Sequence, residues 1–170
     1  MGSASHLVIH ALASHHQRAN FQCGQSALDR YLHKQARQDE KRRVSRVFVA
    51  TTQDDPNTIV GYYTLSSLSI ELNELPAELA RKLPRHPIPA ALLGRLAVSL
   101  SAQGLGIGRT LLADALKRCL AVSDEIAIYA LVVDAIDDSA RAFYEQYGFS
   151  PLSARTRRLF LPLKSLQSVP

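Results

Sequence analysis

Six residues, Gln103-Gly104-Leu105-Gly106-Ile107-Gly108, constrain this chain more than any other stretch. Before them, Leu92 to Leu100 is an apolar run with the look of a buried strand. After them, Leu111, Leu112, Ala115, Leu116, Cys119 and Leu120 recur at the spacing of one helical face. The chain therefore reads strand, glycine-rich turn, helix. Alternating glycines let the backbone come close to a ligand and point successive N–H groups at it. The first helical turn, with Arg109 and Thr110, adds unpaired N–H groups and the positive end of the helix dipole. Such a turn suits a diphosphate, although a plain turn with a glycine cap has the same composition. Arg109 stands where the dinucleotide fingerprint needs its third glycine, and no Gly-Lys-Ser/Thr follows, so neither that fingerprint nor a Walker loop is present.

The 170 residues read as one domain spanning 1–170, long enough to bury a real core, with residues 1–6 expected to stand outside the ordered fold. A hydrophobic share of 46% and a charged share of 21% are those of a globular protein. A net charge of +5 and a pI near 9.5 fit either simple solubility or an anionic partner: a nucleotide cofactor, a nucleic acid or both. Cys23 and Cys119 make no disulfide framework and read as reduced core thiols of a cytoplasmic protein. No apolar run approaches a membrane span, and the first residues lack a signal-peptide pattern.

Leu7 to Leu12 reads as a first strand. Ser26 is placed to cap a helix with apolar positions at Ala27, Leu28, Tyr31, Leu32 and Ala36. Val47 to Thr51 and Ile59 to Leu68 read as a hairpin around the turn Asp54-Asp55-Pro56-Asn57. Leu75 to Leu83 reads as a short helix, ended by a loop containing Pro84, Pro87 and Pro89. Beyond the glycine turn and its helix, Ile126 to Val133 reads as another buried strand. Asp137, Asp138 or Ser139 caps a helix from Ala140 to Tyr147, which Gly148 stops, and Thr156 to Leu163 reads as a closing, alternating strand. The fold class is α/β (α+β): a mixed central sheet of about six to seven strands flanked by helices.

A second stretch, Ala140-Arg141-Ala142-Phe143-Tyr144-Glu145-Gln146-Tyr147-Gly148-Phe149, joins the first in a resemblance to the GNAT acyltransferases, which use acetyl-coenzyme A. Gln103, Gly106 and Gly108 match that family's turn, Arg/Gln-x-x-Gly-x-Gly/Ala. Phe143, Tyr144, Gly148 and Phe149 match its late-helix pattern, Phe-Tyr-x-x-x-Gly-Phe. Further stretches resemble the toxin branch paired with ribbon-helix-helix antitoxins: Phe21-Gln22-Cys23-Gly24, Leu28-Asp29, Ser45-Arg46-Val47-Phe48-Val49, Gly61-Tyr62-Tyr63, Pro87-Ile88-Pro89 and Leu93-Gly94-Arg95-Leu96-Ala97-Val98. The similarity runs from about Leu12 to Leu163. One departure is Val133-Asp134-Ala135, where many members have His-Ala. The resemblance implies a GNAT fold, acetyl-coenzyme A as cofactor, acetylation of the α-amino group of aminoacyl-tRNA, an antitoxin partner and a homodimer. It implies a diphosphate seat on the backbone from Gln103 to Thr110, an oxyanion site on Leu96, Ala97 and Val98, Phe143 beside the cofactor, and Tyr144 as general acid. The rival readings are an ordinary N-acetyltransferase acting on a protein or a small amine, and a catalytically silent binding module of the same fold.

Acetyl transfer needs a neutral amine, an oxyanion site and an acid for the leaving thiolate. The stretch Leu92 to Leu100 contains no carboxylate and no histidine. A lysine amine, with a pKa of ~10.4, needs a base, whereas an α-amino group at ~7.7–8.0 is already substantially neutral. The missing base therefore favours aminoacyl-tRNA, unless His86 or Asp134 supplies one. Tyr144 reads as the acid, and Tyr147 as packing. Basic residues fall in three groups: Arg37/Lys41/Arg42/Arg43/Arg46, Arg81/Lys82/Arg85/Arg95 and Arg155/Arg157/Arg158. Arg42, Arg43, Arg85 and Arg95 are the candidates for tRNA phosphate contact.

Overall fold

The computed structural model describes residues 6–152 and 157–167. Seven strands form a mixed sheet: β1 (Leu7–Ala11), β2 (Arg46–Thr52), β3 (Gly61–Ile70), β4 (Ile88–Val98), β5 (Ala130–Asp134), β6 (Ser150–Pro151) and β7 (Arg158–Pro162), in the order β1-β2-β3-β4-β5-β7-β6. β1 with β2, β2 with β3, β5 with β7 and β6 with β7 pair antiparallel, whereas β4 and β5 run parallel. The helices are α1 (Ser26–Lys34), α2 (Ala36–Arg42), α3 (Ala77–Ala80), α4 (Ile107–Val122), α5 (Asp138–Gln146) and α6 (Lys164–Gln167). By packing density the chain divides into two units, Met1–Leu65 with Arg95–Ala115, and Ser66–Gly94 with Leu116–Pro170.

The first unit has a core built on Leu12, Phe21, Leu32, Val47, Val49 and Tyr62. The helix expected from Ser26 onward is two helices. After Leu32 the next apolar helical position is Ala36 alone, too little to hold one straight helix on the core, and the chain bends at Gln35 (φ −120°, ψ −28°). Gln25, not Ser26, is the N-cap. α2 ends in a Schellman arrangement, with Val44 N–H to Asp39 O and Arg43 N–H to Glu40 O, both 3.1 Å. Arg43 takes the left-handed position (φ 61°) that glycine ordinarily fills.

The second unit packs Ile70, Ile88, Ala130, Val132, Leu152 and Phe160 together. β5 is buried along Ala130 to Val133, as befits a central strand covered on both faces. It starts later than the sequence suggests: Ile126 is 67% exposed, and its N–H still bonds Val122 O in the run-out of α4. β4 in turn starts earlier, at Ile88, and takes in Pro89. That residue has no N–H to give, but its carbonyl accepts from Tyr129 at 2.8 Å. β7 does not alternate between buried and exposed: successive residues Leu159, Phe160 and Leu161, which point to opposite faces of the sheet, are all buried. Thr156, the expected start of that strand, lies outside the described residues, and the two-residue β6 had no sequence signal. No helix among the described residues is long and apolar enough to cross a membrane.

Candidate active site

In the first unit the end of β4 feeds one 3-10 turn, Leu100–Ala102, then Gln103 to Gly106, then α4. Gly104 and Gly106 have φ of 81° and 82°, and a Cβ on either would meet open space. They are glycines for backbone reasons, with room in front of them. In α4 the first ladder bond joins Thr110 N–H to Gly106 O at 3.1 Å, and the Thr110 hydroxyl donates to the same carbonyl at 3.1 Å. The N–H groups of Ile107, Gly108 and Arg109 precede it, at the positive end of a helix of 16 residues. Leu105 projects outward, 74% exposed. The stretch expected to seat a diphosphate is therefore a glycine turn that leads into a helix N-terminus.

Gln103 belongs to that seat differently than its motif position suggests. Its Nε2 donates to Cys23 O at 2.9 Å and to Val98 O at 3.0 Å, so its carboxamide is a tie between two backbone segments. Leu96, Ala97 and Val98 sit at the end of β4, beyond the last β5 pair, Leu93↔Val133. Their main chain continues where parallel pairing with β5 has stopped.

In the second unit Asp137 caps α5 by accepting from Ala140 N–H at 2.8 Å, and Gly148 (φ 95°) ends it. This places Tyr144 inward, only 4% exposed, edge-on to Phe143 and Phe149 at 5.3 and 5.6 Å. Burial, and then the charge of Asp134, push its phenol above the ordinary value, so it stays protonated. Tyr147 packs edge-on against Phe143 at 5.2 Å. Asp134 is not available as a base: Arg158 grips it with Nε and Nη2 at 2.7 and 3.1 Å across β5 and β7. His86 lies exposed in the loop before β4, its Nδ1 3.2 Å from Pro87 O.

The basic groups separate. Arg42 and Arg43 are exposed at the end of α2. Arg46 pairs with Glu40 at 3.0 Å. Arg95 lies over the ring of Tyr31, whose hydroxyl bonds Asp39 of α2. Arg85 is exposed in the second unit. Arg157 pairs with Asp138 at 3.3 Å and donates to Ile136 O, and Arg158 holds Asp134, so these two are structural; Arg155 lies outside the described residues. Sequence reading missed the roles of Cys23, Asp29 and Tyr31, although two of the stretches quoted above contain Cys23 and Asp29.

Residues 83–163 match the acetyltransferase (GNAT) domain. A tRNA-acetylating toxin of Mycobacterium tuberculosis is 37% identical over 88% of this chain and 88% of its own. A Sinorhizobium fredii protein described as "Probable toxin TacT" is 33% identical over 99% of this chain and 97% of its own. Among solved structures, a phenylalanine-for-tyrosine mutant of KacT superposes with a TM-score of 0.90 at 30% identity, covering 96% of this chain and 99% of that one. AtaT complexed with acetyl-methionyl-tRNAfMet gives 0.88 at 30%, covering 95% and 98%. A mutant AtaT bound to the C-terminus of the antitoxin AtaR and to acetyl-CoA gives 0.80 at 30%, covering 95% and 96%. With this similarity over nearly its whole length, the chain belongs to the GNAT acetyltransferase toxins of toxin–antitoxin pairs, the family of the tRNA-acetylating toxins.

Proposed function

We propose that this chain transfers the acetyl group of acetyl-CoA to the α-amino group of an aminoacyl-tRNA and so blocks translation, with residues 1–170 as one acetyltransferase domain. The observation that carries the acceptor class is that, among the described residues, neither β4 nor the two candidates Asp134 and His86 offers a side-chain base. The end of β4 has neither carboxylate nor imidazole, Asp134 is held by Arg158, and His86 is turned to its own loop. An amine that is already neutral near pH 7 needs no such base, and an esterified α-amino group is one. The backbone from Gly104 to Thr110 holds the diphosphate. The N–H groups of Leu96 to Val98 receive the oxygen of the thioester carbonyl as the amine adds to its carbon. Phe143 packs beside the cofactor's thioester end. As the C–S bond breaks, the Tyr144 hydroxyl hydrogen-bonds the departing sulfur, and the acceptor nitrogen loses its proton to solvent. Arg42, Arg43, Arg85 and Arg95 contact tRNA phosphates. The partner that silences the chain is an antitoxin of the ribbon-helix-helix class, the active form is a homodimer, and the compartment is the cytoplasm.

The test is incubation of total charged tRNA with labelled acetyl-CoA, followed by identification of the labelled aminoacyl group. Label is expected on α-amino groups of one or a few aminoacyl-tRNAs, and none on tRNA deacylated beforehand. Label confined to lysine side chains of added protein, or to small amines, would overturn the reading in favour of an ordinary N-acetyltransferase.

A further inference from the structure

The Phe21–Gly24 turn lies about 80 positions upstream of the glycine turn, yet its carbonyls at Phe21, Gln22 and Cys23 are each hydrogen-bonded to a distant segment. Phe21 O meets His33 Nε2 at 2.8 Å. Gln22 O accepts from Leu100 N–H at 2.8 Å, and Cys23 O accepts from Gln103 Nε2 at 2.9 Å. Two of these three bonds come from the segment that leads into Gly104. From the other side, Cys23 N–H donates to Asp29 Oδ1 on α1 at 2.9 Å. Burial pushes the Cys23 thiol up to about 11, so the sulfur remains a thiol packed in the core. The second hydrogen of the Gln103 amide closes on Val98 O at 3.0 Å. The result is a set of ties that meet at Cys23: the Asp29 carboxylate holds its N–H, and its carbonyl anchors the Gln103 carboxamide, which also reaches Val98 O at the end of β4.

We propose that Asp29 and Gln103 are positioning residues of the acetyl-CoA site, setting through Cys23 where the Gly104–Gly108 backbone presents its N–H groups. The inference rests on the reading of that backbone as the diphosphate seat. The physical need is plain. Gly104 and Gly106 have no side chains to anchor the turn, and a binding backbone must be held to within about 0.5 Å. Gln103 is the last residue before the turn with a side chain able to make hydrogen bonds at both of its amide hydrogens. Asp29 holds Cys23, and Gln103 hangs from the Cys23 carbonyl, so releasing Cys23 moves the anchor of Gln103. The helix is seated as tightly: a Cβ on Gly61 would stand 2.9 Å from Leu111 Cδ1, 3.1 Å from Ala97 O and 3.4 Å from Ile107 Cγ2. That leaves the turn little freedom except through the Gln103 tie.

The experiment measures coenzyme A affinity by calorimetry, together with KM and kcat for acetyl-CoA, in Asp29→Ala, Asp29→Asn, Gln103→Leu, the Asp29→Ala/Gln103→Leu double variant and Gly106→Val. Asp29→Ala and Gln103→Leu are each expected to weaken coenzyme A by about tenfold, the worth of one neutral buried hydrogen bond lost at the seat. KM rises with it, and kcat at saturating acetyl-CoA stays within about threefold. Asp29→Asn keeps an oxygen to accept from Cys23 N–H and binds like the wild type. The double variant is no worse than the weaker single one, because both release the same anchor at Cys23. A folded Asp29→Ala or Gln103→Leu protein with wild-type affinity overturns the inference, as does a strictly additive double variant; Gln103→Leu serves alone if Asp29→Ala does not fold. Failure of the underlying reading looks different: Gly106→Val would then bind coenzyme A normally, whereas failure of the inference alone leaves Gly106→Val crippled.

Discussion

The Arg95 guanidinium lies 3.6 Å above the centre of the Tyr31 ring. Burial, and then the bond to Asp39, push the Tyr31 phenol up to about 12, so its hydroxyl remains a donor to Asp39 at 2.8 Å. Arg95 is thus fixed to the α1–α2 pair through an aromatic face, which leaves its N–H edge for an anion. The ion pair with a buried carboxylate that a strand arginine invites is not what holds it. Arg95→Gln keeps the length and removes the charge. The slope of log affinity for charged tRNA against log salt should fall by about one. An unchanged slope would leave Arg95 as a brace for Tyr31 and nothing more.

Arg43 offers a second charge with a stability signature of its own. A non-glycine residue in the left-handed region costs ~1–2 kcal/mol, and Arg43 sits there with φ 61° at a position where glycine is the usual choice. Arg43→Gly should therefore raise stability by up to about 1 kcal/mol after the greater entropy of the unfolded chain is set against it. That is a rise of roughly 2–4 °C in Tm. The same variant should acetylate charged tRNA less well at physiological salt. A variant both more stable and fully active would show that nothing about tRNA requires arginine there.

The relation between Gly106 and Gly108 separates fold from function in the same way. Gly106 has φ 82°, whereas Gly108 lies inside α4. Gly106→Ala strains the backbone and Gly108→Ala does not, since alanine is the better helix former by about 1 kcal/mol. Calorimetry should find coenzyme A weakened at least tenfold in the valine variants of both. Melting curves of the alanine variants should show a loss at 106 and no loss at 108. Normal coenzyme A binding by a folded Gly108→Val would move the diphosphate off the helix N-terminus.

These residues show what was legible from sequence and what was not. The strand, glycine turn and helix could be read because their signals are local: an apolar run, positive-φ glycines and a helical period. The cap at Asp137 and the stop at Gly148 were local too. The start of β4 at Ile88 was hidden, because Pro87 and Pro89 read as loop while the pairing that overrides them comes from Tyr129. The alternation assumed for β7 failed because the strand is buried on both faces, at Leu159, Phe160 and Leu161 alike, which a strand this short does not signal. The side-chain bonds of Gln103 could not be read, because its partners, Cys23 and Val98, are carbonyls, and any residue can supply a carbonyl. Three of the basic residues looked free only because their acids, Glu40, Asp134 and Asp138, are distant or unremarkable in sequence.

His16 gives a pH dependence that has nothing to do with catalysis. It is buried, and its Nδ1 accepts from Ala13 N–H at 2.9 Å, a bond only the neutral ring can make. Burial, then the neighbouring His15 and His10, lower its pKa. A lowered value means that the unfolded chain binds the proton first. Stability is therefore full above about 6.5 and falls as pH drops from there toward the lower folded value. His16→Asn, with an oxygen to accept from Ala13, should flatten the dependence of Tm on pH between about 7 and 5. An equally steep fall in that variant would assign the effect to His15, His10 or the carboxylates.

Tyr144→Phe is the test of the chemistry itself. The sequence puts Tyr144 on a helix bounded by Asp137 and Gly148, and the fold buries it between Phe143 and Phe149 beside β5. Phenylalanine preserves that packing, so Tm should change little and coenzyme A should bind within about twofold. The lost hydroxyl is the group placed to stabilise sulfur as the C–S bond breaks, and loss of a general acid typically costs about 10²–10⁴ in rate. The raised phenol pKa has two consequences of known sign. Full proton transfer to a thiolate is uphill, so the hydroxyl acts by hydrogen bonding. The acid form also persists above pH 9, so the rate should climb as the acceptor amine deprotonates, at a pH below the ~7.7–8.0 of an ordinary α-amino group, and show no falling limb up to about pH 9. Single-turnover acetylation of charged tRNA at saturating acetyl-CoA, run from pH 6 to 9, reads both at once. A folded Tyr144→Phe protein within threefold of wild type would reduce Tyr144 to a packing residue. A falling limb below pH 9 that persists in the variant would pass the acid's role to another group.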